Sequence, residues 1–442
     1  MSTPLYDALD AYLSRDASRL HMPGHKGLLR EPLGQASRWD VTELPGFESL
    51  YEETGALVET EARYRKLYDT KATLLSAGGS TLCVQTMLSL VAKPGDTIIA
   101  TRGIHTSALN TMALLDLTPV WISTIRDKNT GLVLPPNPEA VEYTINCNPH
   151  AVAVYITSPD YYGILADISA ISEVCRRFNK LLLVDNAHGA HLAFCKPSEH
   201  PAALGADLCC DSLHKTLPVL TGGALLHIQN ESLIPAAKAR MSLFGSTSPS
   251  YLILLSIDRA LDYLETAVVA DLAKLRGCLE SLRKPAWEKG ILFPPGAFDT
   301  ARLTLGFCGA GYSREAFLEH LDSHHISAEY TDTDFCVLLP GIRSDERDFV
   351  RLERMIRSLK KEKPRKLKLE PYPFPQSVCS VREAIFLPRE TLPLNLAEGR
   401  IAAAAVAPCP PGIPLLIPGE RITSECVELL KISGISLVNV LK

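Results

Sequence analysis

The chain has 442 residues, of which 46% are hydrophobic and 21% charged, a composition typical of globular proteins with two or three domains. Its net charge of −5 argues against nucleic-acid binding, and no apolar run is long enough to span a membrane. Twelve cysteines without a C-x-x-C pair, and an N-terminus without a secretory pattern, indicate a reduced cytoplasmic protein with neither disulfides nor a metal site.

The first predicted element with a chemical signature is the glycine turn "SAGGSTLCVQTML" at 76–88. There Gly79, Ser80 and Thr81 lead into a helical pattern. A helix N-terminus that follows glycines presents backbone N–H groups that can bind a phosphate. The same stretch is also typical of an ordinary turn into a helix, so it becomes informative only together with other residues.

Short apolar runs then alternate with helical patterns as far as about residue 230. They predict strands at "DTIIATR" (96–102), "TPVWI" (118–122), "AVAVYITS" (151–158), "LLLVD" (181–185), "ADLCCDS" (206–212) and "GGALLHI" (222–228). Between two of these strands, residues 167–180 carry Ile168, Ile171 and Val174 on one helical face. This alternation predicts an α/β domain with a mostly parallel sheet covered by helices on both faces.

The pattern changes in the C-terminal half of the chain. A long helical pattern at 248–284 is followed by strands of a smaller α+β lobe at "ARLTLGF" (301–307), "ISAEYTD" (326–332) and "FCVLLPG" (335–341). A basic linker and a proline-rich stretch come next. These changes predict an N-terminal segment at 1–60, a large domain at 61–285, a small lobe at 286–358, and a linker with a C-terminal domain at 359–442.

Polar side chains with useful chemistry follow several predicted strands. They are His105, then Ser158, then Asp185 with His188 and His191, and finally Ser212, His214 and Lys215. Because ligands of parallel α/β sheets bind outside the carboxyl ends of the strands, we expect these side chains to share one site.

Pyridoxal phosphate is a cofactor that would use such a set. It needs a lysine for its imine, an acid beside its pyridinium nitrogen and a cradle for its phosphate. Lys215, an anionic Asp185 and the glycine turn meet these needs, since the acid would keep the ring nitrogen protonated. Each residue alone has a structural interpretation, such as a turn cap or a surface lysine. The ordered set therefore predicts a pyridoxal phosphate enzyme.

Longer motifs extend this prediction to a family. They are "HMPGHKG" (21–27), "DVTEL" (40–44), "TSPDYYG" (157–163), "VDNAHGAH" (184–191), "DSLHKTLPVLTGGALLHI" (211–228), "STSPSYLILLSID" (246–258) and "GRIAAAAVAPCPPGIPLLIPGE" (399–420). In this order they resemble the Orn/Lys/Arg decarboxylase family, in its short form without an N-terminal wing domain. That family belongs to the fold type I (aspartate-aminotransferase-type) pyridoxal phosphate enzymes, and the resemblance covers nearly the whole chain.

The resemblance implies roles for the residues at the predicted site. Lys215 would form the Schiff base, Asp185 would pair with the pyridine nitrogen, and His105 would stack on the ring. Ser80, the amide of Gly79 and Ser212 would hold the phosphate. His214 would lie beside the imine, and the cofactor-binding set would be completed by Thr81, Ser158 and His188.

The resemblance also implies a homodimer with shared active sites, and larger assemblies stay open. Ser246 or Thr247 would reach the phosphate from the second subunit, and "HMPGHKG", with His25, would line the same interface. The N-terminal segment at 1–60 would therefore belong to the dimer interface.

The chain departs from the family pattern at four places. Asn186 replaces a glutamate, Thr106 follows the stacking histidine in place of lysine, and Cys409 replaces a tyrosine. The Thr-Gln pair usual after "HKTL" is missing. The acid, the lysine and the phosphate turn are intact, so these departures concern the substrate more than the cofactor.

The implied reaction is the decarboxylation of lysine, arginine or ornithine to an amine and CO₂. A cationic substrate needs a carboxylate partner to offset the loss of water. The candidates are Asp40, Glu43, Glu390 and Glu420, with His25 as a further residue on the substrate side. Glu420 has a second interpretation, as the cap of the helix that follows it.

Two other functions stay open on the sequence alone. One is a different pyridoxal phosphate reaction, that of an aminotransferase or another lyase. The other is a non-catalytic homologue that binds the cofactor.

Overall fold

The computed structural model describes residues 2–15, 18–19, 21–44, 47–367, 374–407 and 414–442. The chain forms two compact units. The first comprises Met1–Leu90, Leu182–Ala273 and Gly341–Arg343, and the second comprises Val91–Leu181, Lys274–Pro340 and Ser344–Lys442. None of the described helices combines the length and the hydropathy needed to cross a membrane. The predicted domain boundaries at residues 60, 285 and 358 stay a prediction.

A seven-stranded sheet is the main β structure. Its strands are β1 (Ala72–Ser76), β2 (Thr97–Ala100), β3 (Thr118–Trp121), β4 (Ala153–Thr157), β5 (Leu181–Asp185), β6 (Leu208–Asp211) and β7 (Ala224–Ile228), in the order β1-β7-β6-β5-β4-β2-β3. β5 and β6 are parallel, as are β2 with β3 and β2 with β4. β7 runs antiparallel to both β1 and β6. The predicted fold class, with its mostly parallel sheet, is confirmed.

The helices precede and connect the strands. They are α1 (Pro4–Ser14), α2 (Gly34–Ser37), α3 (Ala56–Tyr68), α4 (Gly79–Val91), α5 (Thr106–Leu115), α6 (Pro138–Cys147), α7 (Ile168–Arg177), α8 (Leu213–Thr216), α9 (Ile234–Ser242), α10 (Tyr251–Thr266), α11 (Val268–Glu288), α12 (Arg314–Ser323), α13 (Glu346–Ser358), α14 (Val381–Phe386) and α15 (Ser424–Ile432). The single long helix predicted at 248–284 is wrong. The chain forms α10 and α11 there, separated at Ala267, whose φ of −123° is not helical.

Two smaller antiparallel sheets lie in the second unit. One has the order β8-β10-β9, formed by β8 (Leu303–Gly306), β9 (Tyr330–Thr331) and β10 (Phe335–Leu338). The other pairs β11 (Arg389–Pro393) with β12 (Leu437–Leu441). This pair packs in a core with Leu416, Ile422 and Leu430. The C-terminal part of the chain thus has a hydrophobic core of its own.

In the first unit, the ends of three strands lie at one edge of the sheet. β1 and β6 are both antiparallel to β7, and β5 is parallel to β6, so β1, β5 and β6 run in the same direction. Their carboxyl ends are followed by the glycine turn, the loop of Asp185 and the loop of Lys215 respectively. This edge is where a ligand site is expected in such a fold.

Candidate active site

Asp185 ends the buried strand β5. The strand residues Leu182, Leu183 and Val184 are fully buried, and Asp185 itself is 3% exposed. Its Oδ1 accepts the backbone N–H of Ala187 at 3.1 Å and lies 3.7 Å from Sγ of Cys210, its register partner on β6. The strand therefore holds a carboxylate at the edge of the sheet, largely removed from water.

Lys215 lies in α8, the short helix that follows β6. Its Nζ is 2.8 Å from Nε2 of His188, which belongs to the loop after β5. Because β5 and β6 are neighbouring parallel strands, the loops that follow them meet at the same edge. The structure thus brings the predicted lysine into contact with the loop that begins at the predicted acid. His191, a little further along this loop, is buried.

The glycine turn lies at the end of β1. Ser212 Oγ donates to Ser80 Oγ at 2.8 Å, so the two predicted phosphate ligands are in contact. The amide of Gly79 donates to the carbonyl of Gly222 at 2.8 Å, so its predicted role as a phosphate donor is wrong in this conformation. The amides of Ser80 and Thr81 lie in the first turn of α4, where the helix supplies no acceptor.

His214 precedes the lysine on α8 and is half-buried. Its Nδ1 donates to the carbonyl of Gly223 at 3.1 Å. This bond fixes the ring and leaves Nε2 as the nitrogen that can exchange a proton. Its predicted place beside the imine stays a prediction.

His105 and Ser158 both belong to the second unit. His105 is exposed and caps α5, since its Nδ1 accepts the backbone N–H of Ser107 at 3.2 Å. Ser158 is buried, and its Oγ accepts the N–H of Ala166 at 3.1 Å. Thr106, which departs from the family pattern, is exposed at the first position of α5. The cofactor-binding roles of His105 and Ser158 stay predictions.

Ser246 and Thr247 are exposed in the segment before α10. The hydroxyl of Tyr51 donates to the carbonyl of Ser246 at 3.1 Å, and Ser248 Oγ donates to Glu43 Oε2 at 3.3 Å. The segment is therefore tied to the N-terminal part of the first unit. Ser246 Oγ donates to the carbonyl of Ser248 at 3.2 Å, and the phosphate-binding roles of Ser246 and Thr247 stay predictions.

His25 and Asp40 join the "HMPGHKG" and "DVTEL" motifs. His25 Nδ1 accepts the N–H of Gly27 at 2.9 Å, so its Nε2 carries a proton and donates to Asp40 Oδ2 at 3.1 Å. The contact explains why these motifs occur together: each holds a side chain of the other in place.

Glu420 was predicted either to bind the substrate cation or to cap the helix that follows it, and the structure shows it in an ion pair instead. It is 1% exposed, and both carboxylate oxygens pair with the guanidinium of Arg102, with Oε2 3.0 Å from Nη2. Its charge is thus already compensated, which excludes a substrate cation while this pair persists. Thr423, and not Glu420, caps α15.

Glu390 also has a partner within the chain. Its Oε1 is 2.7 Å from Nη2 of Arg400, and the pair is partly exposed. The departure at Cys409 lies outside the described residues.

A buried polar network behind Asp185 was missed by sequence reasoning. Asp211 accepts from Asn186 Nδ2 at 2.6 Å and from Nε2 of His200 and His227 at 3.1 Å each. Burial alone would raise the pKa of Asp211, but the two imidazoles outweigh it and lower the pKa. Burial lowers the pKa of His227. The network therefore holds an ionised Asp211 among N–H donors.

The geometry identifies this group as a hydrogen-bond network. Among the described residues, His200, Asp211 and His227 are close enough together to hold a metal ion. His200 Nδ1, however, accepts the N–H of Ala202 at 3.3 Å, so its Nε2 carries the proton and donates to Asp211. The network also explains why asparagine, and not glutamate, is found at position 186, since a glutamate there would face the carboxylate of Asp211.

The residues of the first unit fit pyridoxal phosphate. They offer an amine at Lys215, a buried carboxylate at Asp185, and the hydroxyls of Ser80 and Ser212 beside first-turn amides. Gly79 has a φ of +67°, and a Cβ added there would meet no atom within 4 Å. The turn therefore borders open space beside the hydroxyls, as a phosphate group requires.

Comparison with known proteins agrees with this chemistry. The family model described as "Orn/Lys/Arg decarboxylase, major domain" matches residues 3–284, and the one for the C-terminal domain of the same family matches residues 375–434. An uncharacterized protein of Bacillus subtilis, YaaO, is 29% identical over 97% of this chain and 94% of its own length. The arginine decarboxylase of the same organism is 28% identical over 97% and 93%.

The fold has known counterparts among solved structures. The constitutive lysine decarboxylase of E. coli aligns with a TM-score of 0.82 over 100% of this chain and 82% of that chain, at 19% identity. At this identity the alignment establishes the fold alone.

Proposed function

The chain belongs to the Orn/Lys/Arg decarboxylase family, and we propose that it is a pyridoxal phosphate-dependent decarboxylase that releases CO₂ from a basic amino acid. The observation that carries this proposal is the contact between Lys215 Nζ and His188 Nε2, which places an amine against the loop that begins at the buried Asp185. The family supplies the reaction class, and these residues supply the groups that the reaction needs.

Bound pyridoxal phosphate would supply an electron sink for the bond between Cα and the carboxylate. Asp185 is a carboxyl group in a place with little water, and as an anion it would hold a proton on a nearby ring nitrogen. Ser80 and Ser212 would donate their hydroxyls to the phosphate. These residues would bind and orient the cofactor.

Proton movement would depend on the residues around Lys215. Its amine must lose a proton before it can attach the cofactor, and the imidazole of His188 can accept that proton at 2.8 Å. Lys215 or His214 would then return a proton to Cα. His214 is suited to this because Nδ1 is held by Gly223 and Nε2 stays available.

Arginine is the first substrate to test among the basic amino acids. The relative named arginine decarboxylase is 28% identical over nearly the full length of both chains, whereas the structural counterpart named lysine decarboxylase is 19% identical. Glu43 remains the acid proposed to meet the substrate cation, since its Oε1 is buried with no hydrogen-bond partner among the described residues. The other three candidates are paired within the chain: Asp40 with His25, Glu390 with Arg400 and Glu420 with Arg102.

Reductive trapping tests the cofactor assignment. Borohydride treatment of the protein loaded with pyridoxal phosphate should fix the cofactor on the peptide that contains Lys215, as located by mass spectrometry. The Lys215→Ala variant should lose this label, whereas the control Lys71→Ala, which removes a surface lysine paired with Glu231, should keep it. A label on another lysine would show that the assignment is wrong.

A further inference from the structure

A buried ion pair holds the start of the segment that carries His105. Arg102 follows β2 and is 3% exposed, and its guanidinium forms the two-pronged pair with Glu420. Nη2 also donates to the carbonyl of Leu415 at 3.2 Å, and the rings of Trp121 and Phe374 lie 5.9 and 5.4 Å from the guanidinium carbon.

This pair is held in one geometry by further contacts. Glu420 Oε2 also accepts the backbone N–H of Ile417 at 2.9 Å, so the carboxylate is bound from two directions. Taking two charged groups out of water is costly, and it is tolerated when the geometry is good and the remaining hydrogen bonds are satisfied. The guanidinium of Arg102 meets this condition at Nη1 and Nη2, while its Nε is buried with no partner among the described residues. The two-pronged geometry still fixes Arg102 against the C-terminal domain more firmly than a surface contact would.

A second arginine of the C-terminal domain holds the other end of the same segment. Arg382 in α14 donates from Nη1 to the carbonyls of Ala113 at 2.9 Å and Leu114 at 3.0 Å. These carbonyls belong to the last turn of α5, where the capping N–H of Asp116 also reaches the carbonyl of Ala113 at 3.4 Å, and a cation at this end is favoured by the helix dipole.

His105 lies between these two attachments. It is three residues after Arg102 and caps the N-terminus of α5, the helix whose C-terminal end Arg382 holds. The ion pair with Glu420 therefore restrains one end of the segment 102–115, at Arg102. The hydrogen bonds from Arg382 to the carbonyls of Ala113 and Leu114 restrain the other end. The sequence pattern did not predict this arrangement, because Arg102 and Glu420 are 318 positions apart.

We propose that the C-terminal domain, through Glu420 and Arg382, fixes the segment 102–115 that carries His105. This inference rests on the proposed function together with the predicted stacking of His105 on the cofactor ring. Arg102, Glu420 and Arg382 are positioning residues, and they act through the segment 102–115 without touching substrate. The C-terminal domain then has a defined task, which is to hold the segment that carries a predicted cofactor-binding residue.

The Arg382→Gln variant tests the proposal, because this side chain is exposed and its loss should not unfold the chain. Arg365→Gln is a control away from α5, since Arg365 also donates to two backbone carbonyls, those of Tyr312 and Thr333. Arg365 lies 3.4 Å from Asp334 in addition, so this variant loses at least as many contacts as Arg382→Gln. Without cofactor, Arg382→Gln should increase hydrogen–deuterium exchange at residues 106–115, and Arg365→Gln should not. Unchanged exchange in α5 would overturn the proposal.

Cofactor affinity separates positioning of His105 from a general loss of stability. Arg382→Gln should weaken pyridoxal phosphate binding about two- to fivefold, as expected for the loss of a cation at a helix C-terminus. His105→Ala should weaken it as well, and the double variant should bind no more weakly than His105→Ala alone. Effects that add in the double variant, or equal weakening in Arg365→Gln, would overturn the proposal while leaving the decarboxylase assignment intact. A wild-type protein that binds no pyridoxal phosphate would overturn both.

The Glu420→Gln variant extends the test to the buried pair. It keeps the shape of the side chain but leaves the charge of Arg102 without its partner. We expect it to raise exchange at residues 102–105 and to weaken cofactor binding more than Arg382→Gln does. If a folded Glu420→Gln protein shows the same hydrogen–deuterium exchange and the same cofactor affinity as the wild type, the ion pair has no part in positioning His105.

Discussion

Asp185 and Asp211 are buried acids at the ends of neighbouring strands, and their surroundings give them different tasks. Asp185 accepts the N–H of Ala187 and lies near the thiol of Cys210 at the edge of the sheet where a ligand is expected, and we propose that it serves the cofactor. Asp211 receives three donors from Asn186, His200 and His227, so its charge is used within the protein. The two residues show that burial of an acid alone does not identify a catalytic group.

Asp185→Asn should bind pyridoxal phosphate but turn over substrate very slowly. The amide cannot supply the negative charge that keeps the ring nitrogen protonated. Removing one partner of a buried charged pair costs roughly 3–5 kcal/mol, which corresponds to a loss in kcat on the order of a hundred- to a thousand-fold or more. The measurement is kcat at saturating cofactor, with absorbance as the check that cofactor is bound. Turnover close to that of the wild type would mean that Asp185 is structural.

Asn186→Asp should destabilise the fold increasingly as pH rises. The new carboxyl would face Oδ1 of Asp211 across the 2.6 Å contact, so its pKa in the folded state would be raised above its unfolded value. A raised pKa means that the stability of the variant is highest below the unfolded pKa, near 4, and is lost as pH rises through the folded pKa.

Urea unfolding at about pH 5 and about pH 8 measures this effect. Asn186→Ala is the control, because it loses the same hydrogen bond without adding a charge and should cost about 1–3 kcal/mol at both pH values. If Asn186→Asp loses the same free energy of unfolding at both pH values, as Asn186→Ala should, then Asn186 does not face an ionised Asp211.

Elements predicted from sequence are those whose pattern is local. The strands β2 to β7 were predicted because each is an uninterrupted apolar run with turn residues after it. β11 and β12 were not predicted, because β11 has alternating exposed residues and pairs with a strand more than forty positions away. The break between α10 and α11 at Ala267 also escaped prediction, since no glycine or proline marks it.

Three elements of the first unit meet at Glu61. This residue of α3 accepts the N–H of Leu75 in β1 at 3.2 Å and lies 3.0 Å from Nζ of Lys238 in α9. Burial raises the pKa of Glu61 to about 7, and the neighbouring Lys238 offsets part of this rise. The contact therefore joins a sheet edge to two helices through a group that titrates near neutral pH.

Glu61→Gln should make the free energy of unfolding less dependent on pH. Since the folded pKa of Glu61 lies above the ordinary value of 4.5, its contribution to stability is present at low pH and falls as pH rises towards 7. The wild type should thus lose stability relative to Glu61→Gln between about pH 5 and about pH 8, by up to about 3 kcal/mol. Chemical unfolding curves of both proteins at several pH values measure the difference. A constant or growing advantage of the wild type would show that Lys238 keeps Glu61 ionised throughout.

At the scale of the whole molecule, the sequence predicted candidate site residues but not the buried polar groups that hold the surrounding elements in place. Lys215 and Asp185 were predicted because each follows a recognisable strand and belongs to a family motif. The Arg102–Glu420 pair and the Asp211 network could not be, because their members come from distant positions and meet only in the folded chain. Burial and hydrogen-bond partners, which sequence patterns do not report, decided the role of Glu420.

Mixed dimers should reveal active sites that are shared between subunits. Ser246 and Thr247 are exposed in the segment before α10, where a second subunit could use them. Mixing Lys215→Ala with Ser246→Ala/Thr247→Ala should restore activity, because one of the two sites in a hybrid dimer then contains only intact residues. The measurement is activity after subunit exchange.

Lys215→Ala mixed with Asp185→Asn is the matched control. Lys215 contacts the loop that begins at Asp185 within one subunit, so every site of that hybrid carries one defect and no activity should return. Equal recovery in both mixtures, or none in the first despite demonstrated exchange, would contradict a shared site.

The proposed reaction is tested most directly by its products. The purified protein with pyridoxal phosphate should be incubated separately with arginine, lysine and ornithine, and both CO₂ and the organic product should be quantified. The account predicts that at least one of these substrates gives equal amounts of CO₂ and the corresponding amine, with arginine tested first, and that Lys215→Ala gives neither. A keto acid without CO₂ would identify a different pyridoxal phosphate reaction, and no product from any basic amino acid would contradict the proposed function.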